Sequence, residues 1–314
     1  MLLPLKEIEV LSTSTDTILQ YTFSTQGGMP TCSFPRFQST IEKQARDTNE
    51  QGAYMRRQFC LTHTVRYDEC NCDGVLTPAA FLRYMQDIAA RDAGDVRLEG
   101  NGYWISKRTV ISFATPIPIH ARLELKTFGI GFTRITAQRG YEAHLVSAPQ
   151  DEPLVSARTL WVYVDSHGRP VRLPERTAQI WLPDGGLPPQ PEQPFPAFPE
   201  RPPVTTSAVV QFSEIDLMQH LNNASAVEML DNAGWEALAR SGITPAGARF
   251  TIRHYDIEYA DSPLFGEHLE VESWFEPFPT AGQEFTRFQR ITREGKTMVR
   301  ACSRWLWQAA QEEA

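Results

Sequence analysis

Apolar positions recur along this chain in two rhythms, and each rhythm occurs twice in the same order. Phe81, Leu82, Met85, Ile88 and Ala89 fall three or four residues apart, as do Val227, Leu230, Ala233, Gly234, Ala237 and Leu238. Such spacing lays a stripe along one face of a helix, so two long helices are predicted. Pro78 stands near the first helical position of one, where its missing N–H costs nothing. Asn222 or Asn223 is a natural N-cap for the other. Farther on, Leu123, Leu125 and Thr127 alternate with Glu124 and Lys126, and Leu269, Val271 and Ser273 alternate with Glu270 and Glu272. Period two predicts half-buried strands.

The repetition extends to residue identity. Tyr67 to Thr77 aligns with Phe212 to Asn222, pairing aromatic with aromatic, Glu69 with Glu214 and Leu76 with Leu221 at an offset of 145 (67 to 212). Leu123 to Phe128 aligns with Leu269 to Trp274 at 146 (123 to 269), and Leu154 to Trp161 with Met298 to Trp305 at 144 (154 to 298). Three matches in one order with nearly one offset indicate a duplication. Each copy reads as strand, loop, long helix and several strands, which predicts an α+β fold with an antiparallel sheet wrapped against a helix. The small residues Ala233, Gly234 and Ala237 suit a helix enclosed by a sheet.

Between the copies, Pro183, Pro188, Pro189, Pro191, Pro194, Pro196, Pro199, Pro202 and Pro203 specify an extended, stiff segment. The predicted organisation is an N-terminal extension over 1–54, a first copy over 55–168, a proline-rich linker over 169–203 and a second copy over 204–314. The extension is acidic where transit peptides avoid acids, and it lacks the apolar core of a secretory peptide. It is expected to be weakly ordered, with Met55 as the native start.

Composition narrows the classes. A formal charge of −8 argues against general nucleic-acid binding, and no run of eighteen apolar residues exists to span a bilayer. Five scattered cysteines fit a reducing compartment, read here as the cytoplasm, better than a disulfide framework. Cys70 and Cys72 have no second pair at zinc spacing, so neither a metal nor a cofactor is expected.

Candidate chemistry gathers in one loop. Asp216, Gln219, His220, Asn222 and Asn223 precede the second helix, where the first copy has Asn71, Gly74 and Val75. Because duplicated units share a scaffold, a position polar in one copy and bland in the other is where function separates them. A histidine at a helix start can act as general base, and Asp216 could orient it or bind water. The free amides of the helix N-terminus can polarise a carbonyl oxygen. Packing or capping by His220 is an equal alternative on these grounds.

The run from Asp216 through Gln219-His220 to Asn222-Asn223, with Ile257-Glu258-Tyr259 downstream and the duplicated layout, resembles acyl-acyl carrier protein thioesterases. The resemblance covers roughly Arg57 to Trp307. It implies a tandem double hotdog fold, an active site in the C-terminal copy, an acyl tunnel in the N-terminal copy and acyl carrier protein as substrate bearer; a homodimer is compatible with it. Asp216 and His220 match the family's catalytic acid and histidine, with Gln219, Asn222 and Asn223 positioning substrate. Met218 stands where the family has Asn, and Ser262 stands where it has a catalytic Glu, with Asp261 just before it. Asp261 would replace that Glu after a one-residue shift of the loop, and Ser262 would hold a water. An acidic carrier also calls for a positive patch, for which Arg287, Arg290, Arg293 and Lys296, or Arg249 and Arg253, are candidates. The competing readings are an acyl-CoA thioesterase of the same fold, a non-catalytic acyl-binding module and a hotdog dehydratase, whose Asn-Pro spacing is absent.

Overall fold

Both helical stripes become long helices with the expected ends. α1 (Pro78–Val96) opens on Pro78, and the Thr77 hydroxyl accepts the N–H of Ala80 as its N-cap. In the second copy a helix over Asn223–Ala239 is capped by the Asn222 side chain, which accepts the N–H of Ala224. Each cap satisfies one of the donors that a helix start leaves free. The computed structural model describes residues 56–97, 100, 102–147, 152–184 and 189–308, so the N-terminal extension and Met55 lie outside the described residues.

Around α1 the first copy lays β1 (Gln58–Thr64), β2 (Tyr103–Phe113), β3 (Arg122–Phe132), β4 (Thr136–Leu145) and β5 (Val155–Val164). A one-turn helix, α2 (Thr177–Trp181), interrupts the segment expected to be linker alone. The long helix of the second copy is therefore α3. It is surrounded by β6 (Val204–Val209), β7 (Arg249–Tyr259), β8 (His268–Glu276), β9 (Glu284–Arg293) and β10 (Lys296–Gln308). The described residues belong to one compact unit.

Among the described residues all ten strands join one antiparallel sheet in the order β1-β3-β4-β5-β2-β7-β10-β9-β8-β6. Exchanging each strand for its counterpart in the other copy reverses this order and leaves it unchanged. The pseudo-two-fold axis therefore crosses the β2–β7 seam. There Val110 faces Asp256, its own counterpart at an offset of 146. On the helices, Arg83 makes a two-pronged ion pair with its counterpart Glu228 at an offset of 145. This is the tandem double hotdog, fused by strand pairing instead of left as two beads.

One core runs through both copies. Phe81, Met85 and Ile88 of α1 meet Leu123, Leu125 and Tyr141 of the sheet, and Leu230, Ala233 and Ala237 of α3 meet Leu269, Val271 and Ile257. The linker crosses the opposite face of the sheet. The Gln193 carbonyl accepts from Arg108 at 2.6 Å, Phe195 lies against the guanidinium groups of Arg108 and Arg300, and Phe198 packs on Trp274 and Phe288. Beneath it, Arg108 of β2 holds Asp256 of β7 with two hydrogen bonds of 2.8 and 2.6 Å, closing the seam. A buried, two-pronged pair of this kind tolerates loss of neither partner.

Candidate active site

The loop before α3 is a closed turn. Ile215 bridges to Leu221, the Asp216 N–H donates to the His220 carbonyl at 3.0 Å, and the Gln219 N–H donates to the Asp216 carbonyl at 2.9 Å. The Asp216 carboxylate is occupied inside this turn. Oδ1 accepts the N–H of Met218 at 2.8 Å, and Oδ2 accepts the Asn222 amide at 3.5 Å.

The first copy builds the same turn from different residues. Cys70 bridges to Leu76, Asn71 exchanges backbone bonds with Val75 and Gly74, and Asn71 Oδ1 accepts the N–H of Asp73 at 3.0 Å. At the offset of 145 these are the counterparts of Ile215, Leu221, Asp216, His220, Gln219 and Met218. Even the left-handed residue is kept, at φ +72° for Gly74 and +62° for Gln219. Glycine takes that conformation freely, whereas a residue with a Cβ is strained in it by roughly 1–2 kcal/mol.

A second segment meets this loop from the end of β7. The Leu221 N–H donates to the Pro263 carbonyl at 2.8 Å, and the Tyr259 hydroxyl donates to the Asn223 carbonyl at 3.3 Å. Asp216, Gln219, His220, Asn222 and Asn223 are thereby brought beside Asp261 and Ser262. Asp261 is engaged as well. It accepts the N–H of Ser262 at 2.8 Å and the Lys296 ammonium at 2.6 Å, and that ammonium holds its carboxyl below the usual carboxylate range. By contrast, the His220 ring and the Ser262 hydroxyl have no hydrogen-bond or ion-pair partner among the described residues. Asn222 is spent on capping α3.

Two further features were not read from the sequence. Lys107, on β2 of the first copy, reaches across to the Tyr259 carbonyl at 3.1 Å and to Glu258 at 3.8 Å, so both copies border the site. Only pairing of β2 with β7 brings it there. The loop is also ringed by exposed apolar side chains, namely Phe212, Leu217, Met218, Leu264 and Phe265, with Phe212 82% exposed. The expected basic patch takes a different form. Arg287 is buried against Asp231, Arg290 pairs with Glu272, Arg293 with Glu267 and Lys296 with Asp261. Alternation along β9 put Arg287 on the core side, where sequence counting treated every cation as surface.

Residues 218–276 match the family model described as the thioesterase superfamily. No curated protein matches the chain significantly. Solved structures similar over most of the chain include a Lactobacillus plantarum protein provisionally described as an oleoyl thioesterase. It is 15% identical, with a TM-score of 0.69 over 81% of this chain and 98% of its own. An acyl-ACP thioesterase from Bacteroides thetaiotaomicron is 16% identical, with a TM-score of 0.61 over 79% of this chain and 97% of its own. A 12:0-ACP thioesterase from Umbellularia californica is 14% identical, with a TM-score of 0.65 over 80% of this chain and 94% of its own. At these identities the likeness is one of fold.

Proposed function

We propose that the protein hydrolyses fatty acyl thioesters carried on acyl carrier protein, releasing free fatty acid at the start of α3. One observation carries this reading. Two copies share one turn, and the second alone places an imidazole there, whose ring has no hydrogen-bond or ion-pair partner among the described residues. The matched thioesterase model over residues 218–276 begins within that loop.

The chemistry follows from the groups present. His220 takes a proton from water, and the resulting hydroxide attacks the thioester carbonyl carbon. The oxyanion forms against the first-turn amides of α3, where the helix dipole favours negative charge. The carbon–sulfur bond then breaks, and the imidazolium returns its proton to the departing thiolate. In this reading Gln219 and Asn223 bind the substrate's polar atoms, and the Ser262 hydroxyl holds the water. The acyl chain is accommodated in the first copy. There Phe81, Tyr84, Met85, Ile88, Leu125 and Tyr141 line a narrow crevice with Lys126 and Glu142 at its edge, closed to anything as large as a water until the side chains part.

His220→Ala assayed with the same acyl chain on carrier protein and on coenzyme A tests the residue and the carrier together. Hydrolysis that survives unchanged removes His220 from the mechanism, and faster turnover of the coenzyme A thioester moves the assignment to an acyl-CoA thioesterase. A non-catalytic acyl-binding module is the second reading, favoured by Met218 and by the internal engagement of Asp216 and Asp261. Bound fatty acid without turnover establishes it. Under the first reading Met218→Asn raises the rate, because an amide can bond the substrate or water where a thioether cannot.

A further inference from the structure

Each copy sets an arginine–aspartate pair between its helix and its sheet, and the two pairs sit at different depths. Glu124 faces His144 and Glu270 faces Thr292, so Arg139 on β4 and Arg287 on β9, five residues before each partner, are counterparts. Their aspartates are not. Arg139 donates to Asp92 at 2.6 Å, and fully buried Asp92 also accepts Arg57 at 2.9 Å and the Trp181 indole at 2.6 Å. Arg287 instead holds Asp231, whose counterpart at the offset of 145 is Gln86. Its guanidinium passes under Gly234, where any Cβ would lie 2.4 Å from Nη1. Beside it, wholly buried Gln289 donates to the Leu230 carbonyl at 2.7 Å and to the Ser273 hydroxyl at 3.0 Å. The Tyr255 hydroxyl and Arg287 Nε are buried there too, without a protein partner among the described residues.

The offset between the pairs sets two depths. Asp92 lies fourteen residues after Pro78, about 21 Å along α1, whereas Asp231 lies eight after Asn223, about 12 Å along α3. Before Asp92 along α1, Phe81, Tyr84, Met85 and Ile88 line the narrow crevice with Leu125, Tyr141, Lys126 and Glu142. In the second copy the counterpart of Tyr141 is Gln289, whose amide ties α3 to the sheet at that level through the Leu230 carbonyl and the Ser273 hydroxyl. An alkyl chain can replace none of those bonds, and displacing one partner would strand a buried charge.

We propose that the Asp231–Arg287 pair with Gln289 closes the second copy's helix–sheet layer to acyl chains, and that the Asp92–Arg139 pair, set deeper, is the floor that limits chain length in the first. This rests on the reading that the protein handles fatty acyl thioesters. The pairs are specificity-determining and touch no reacting atom.

Binding of free fatty acids from octanoate to stearate, read by displacement of a fluorescent fatty acid from the full chain, tests the proposal without requiring turnover. Ile88→Phe narrows the first layer and should weaken stearate by about tenfold or more while octanoate stays within about twofold. Ala233→Ile, the counterpart position, should leave the whole series within about twofold. Replacing both members of the deep pair, Asp92→Leu with Arg139→Met, avoids a lone buried charge and should move the preference to longer acids. Should that double variant not fold, the Ile88 and Ala233 variants decide alone. A series indifferent to Ile88→Phe, or shifted as much by Ala233→Ile, overturns the proposal. Chain-length-dependent binding without hydrolysis of any thioester would sink the thioesterase reading and leave this one standing. Hydrolysis with a profile unmoved by Ile88→Phe would do the reverse.

Discussion

The loops before α1 and α3 share a backbone and differ in one telling side chain. Asn71 and Asp216 both accept the amide two residues on, Leu76 and Leu221 both donate to the carbonyl of a facing segment, and Thr77 and Asn222 both cap a helix. The carboxylate of Asp216 therefore does scaffold work that an amide does in the other copy. The carbonyls of Val75 and His220 close the two turns alike, but only the second carries an imidazole, whose ring has no hydrogen-bond or ion-pair partner among the described residues. A polar residue in a loop is thus a weak sign of chemistry until its bonds are counted, and the counterpart copy supplies the count.

The comparison breaks most visibly at His220. Its replacement by Ala should lower hydrolysis on the order of 10² to 10⁴-fold, while Val75→Ala leaves the rate within a few-fold, as judged by kcat/KM on one acyl thioester. Equal effects from the two would mean the loops are functionally alike. Next comes Asp216→Asn, which makes the second turn match the first. Because an amide oxygen can still accept from Met218, the melting temperature should hold, and loss of the charge beside the imidazolium should cost about tenfold in kcat. A lower melting temperature with unchanged kcat would assign Asp216 to the scaffold alone.

Smaller effects separate backbone from side chain. At Gly74 an added Cβ would meet nothing nearer than Ile119 at 3.9 Å, so Gly74→Ala should destabilise by about 1 kcal/mol through the positive φ alone. Gln219→Gly should relieve the same strain and stabilise by up to about 1 kcal/mol. If Gln219 positions substrate, its removal also raises KM, a change that strain relief cannot produce. Chemical denaturation and steady-state kinetics on one preparation distinguish the two.

The smallest effect belongs to the seam, which is common to both copies. His254 accepts or donates to the Ser112 hydroxyl at 3.2 Å, and burial, with Arg304 nearby, pushes its imidazole below the usual value. The folded chain then resists a proton that the unfolded chain takes. Its contribution to stability is present above about pH 6.5 and is lost as pH falls toward the lower folded value. His254→Asn should flatten the stability profile across that window relative to the parent chain, and an unchanged slope would remove His254 as its source.

Much of the fold was legible because its signals are local. The positions of α1 and α3, their start residues, the alternation of β3 and β8 and the repetition of one unit all follow from spacing along the chain. The candidate loop was legible for the same reason, since the two copies could be compared residue by residue. What Asp216 and Asp261 are bonded to was not. Their partners Met218, Asn222 and Lys296 are set by turn geometry and by β10 returning beside β7, which no short pattern encodes. Arg287 shows the same limit, because its strand places it inward and its pairing with Asp231 spans two elements.

The sequence by itself determined that one unit was duplicated, which segments are helical or extended, and that an imidazole distinguishes the second copy. Only the tertiary structure decided that the copies fuse through β2 and β7, that Lys107 of one borders the site of the other, and that two helix–sheet ion pairs lie at unequal depths. Periodicity records which face of an element is buried. Depth and partnership depend on contacts between residues far apart in the chain, and those exist only once the sheet has closed around its helices.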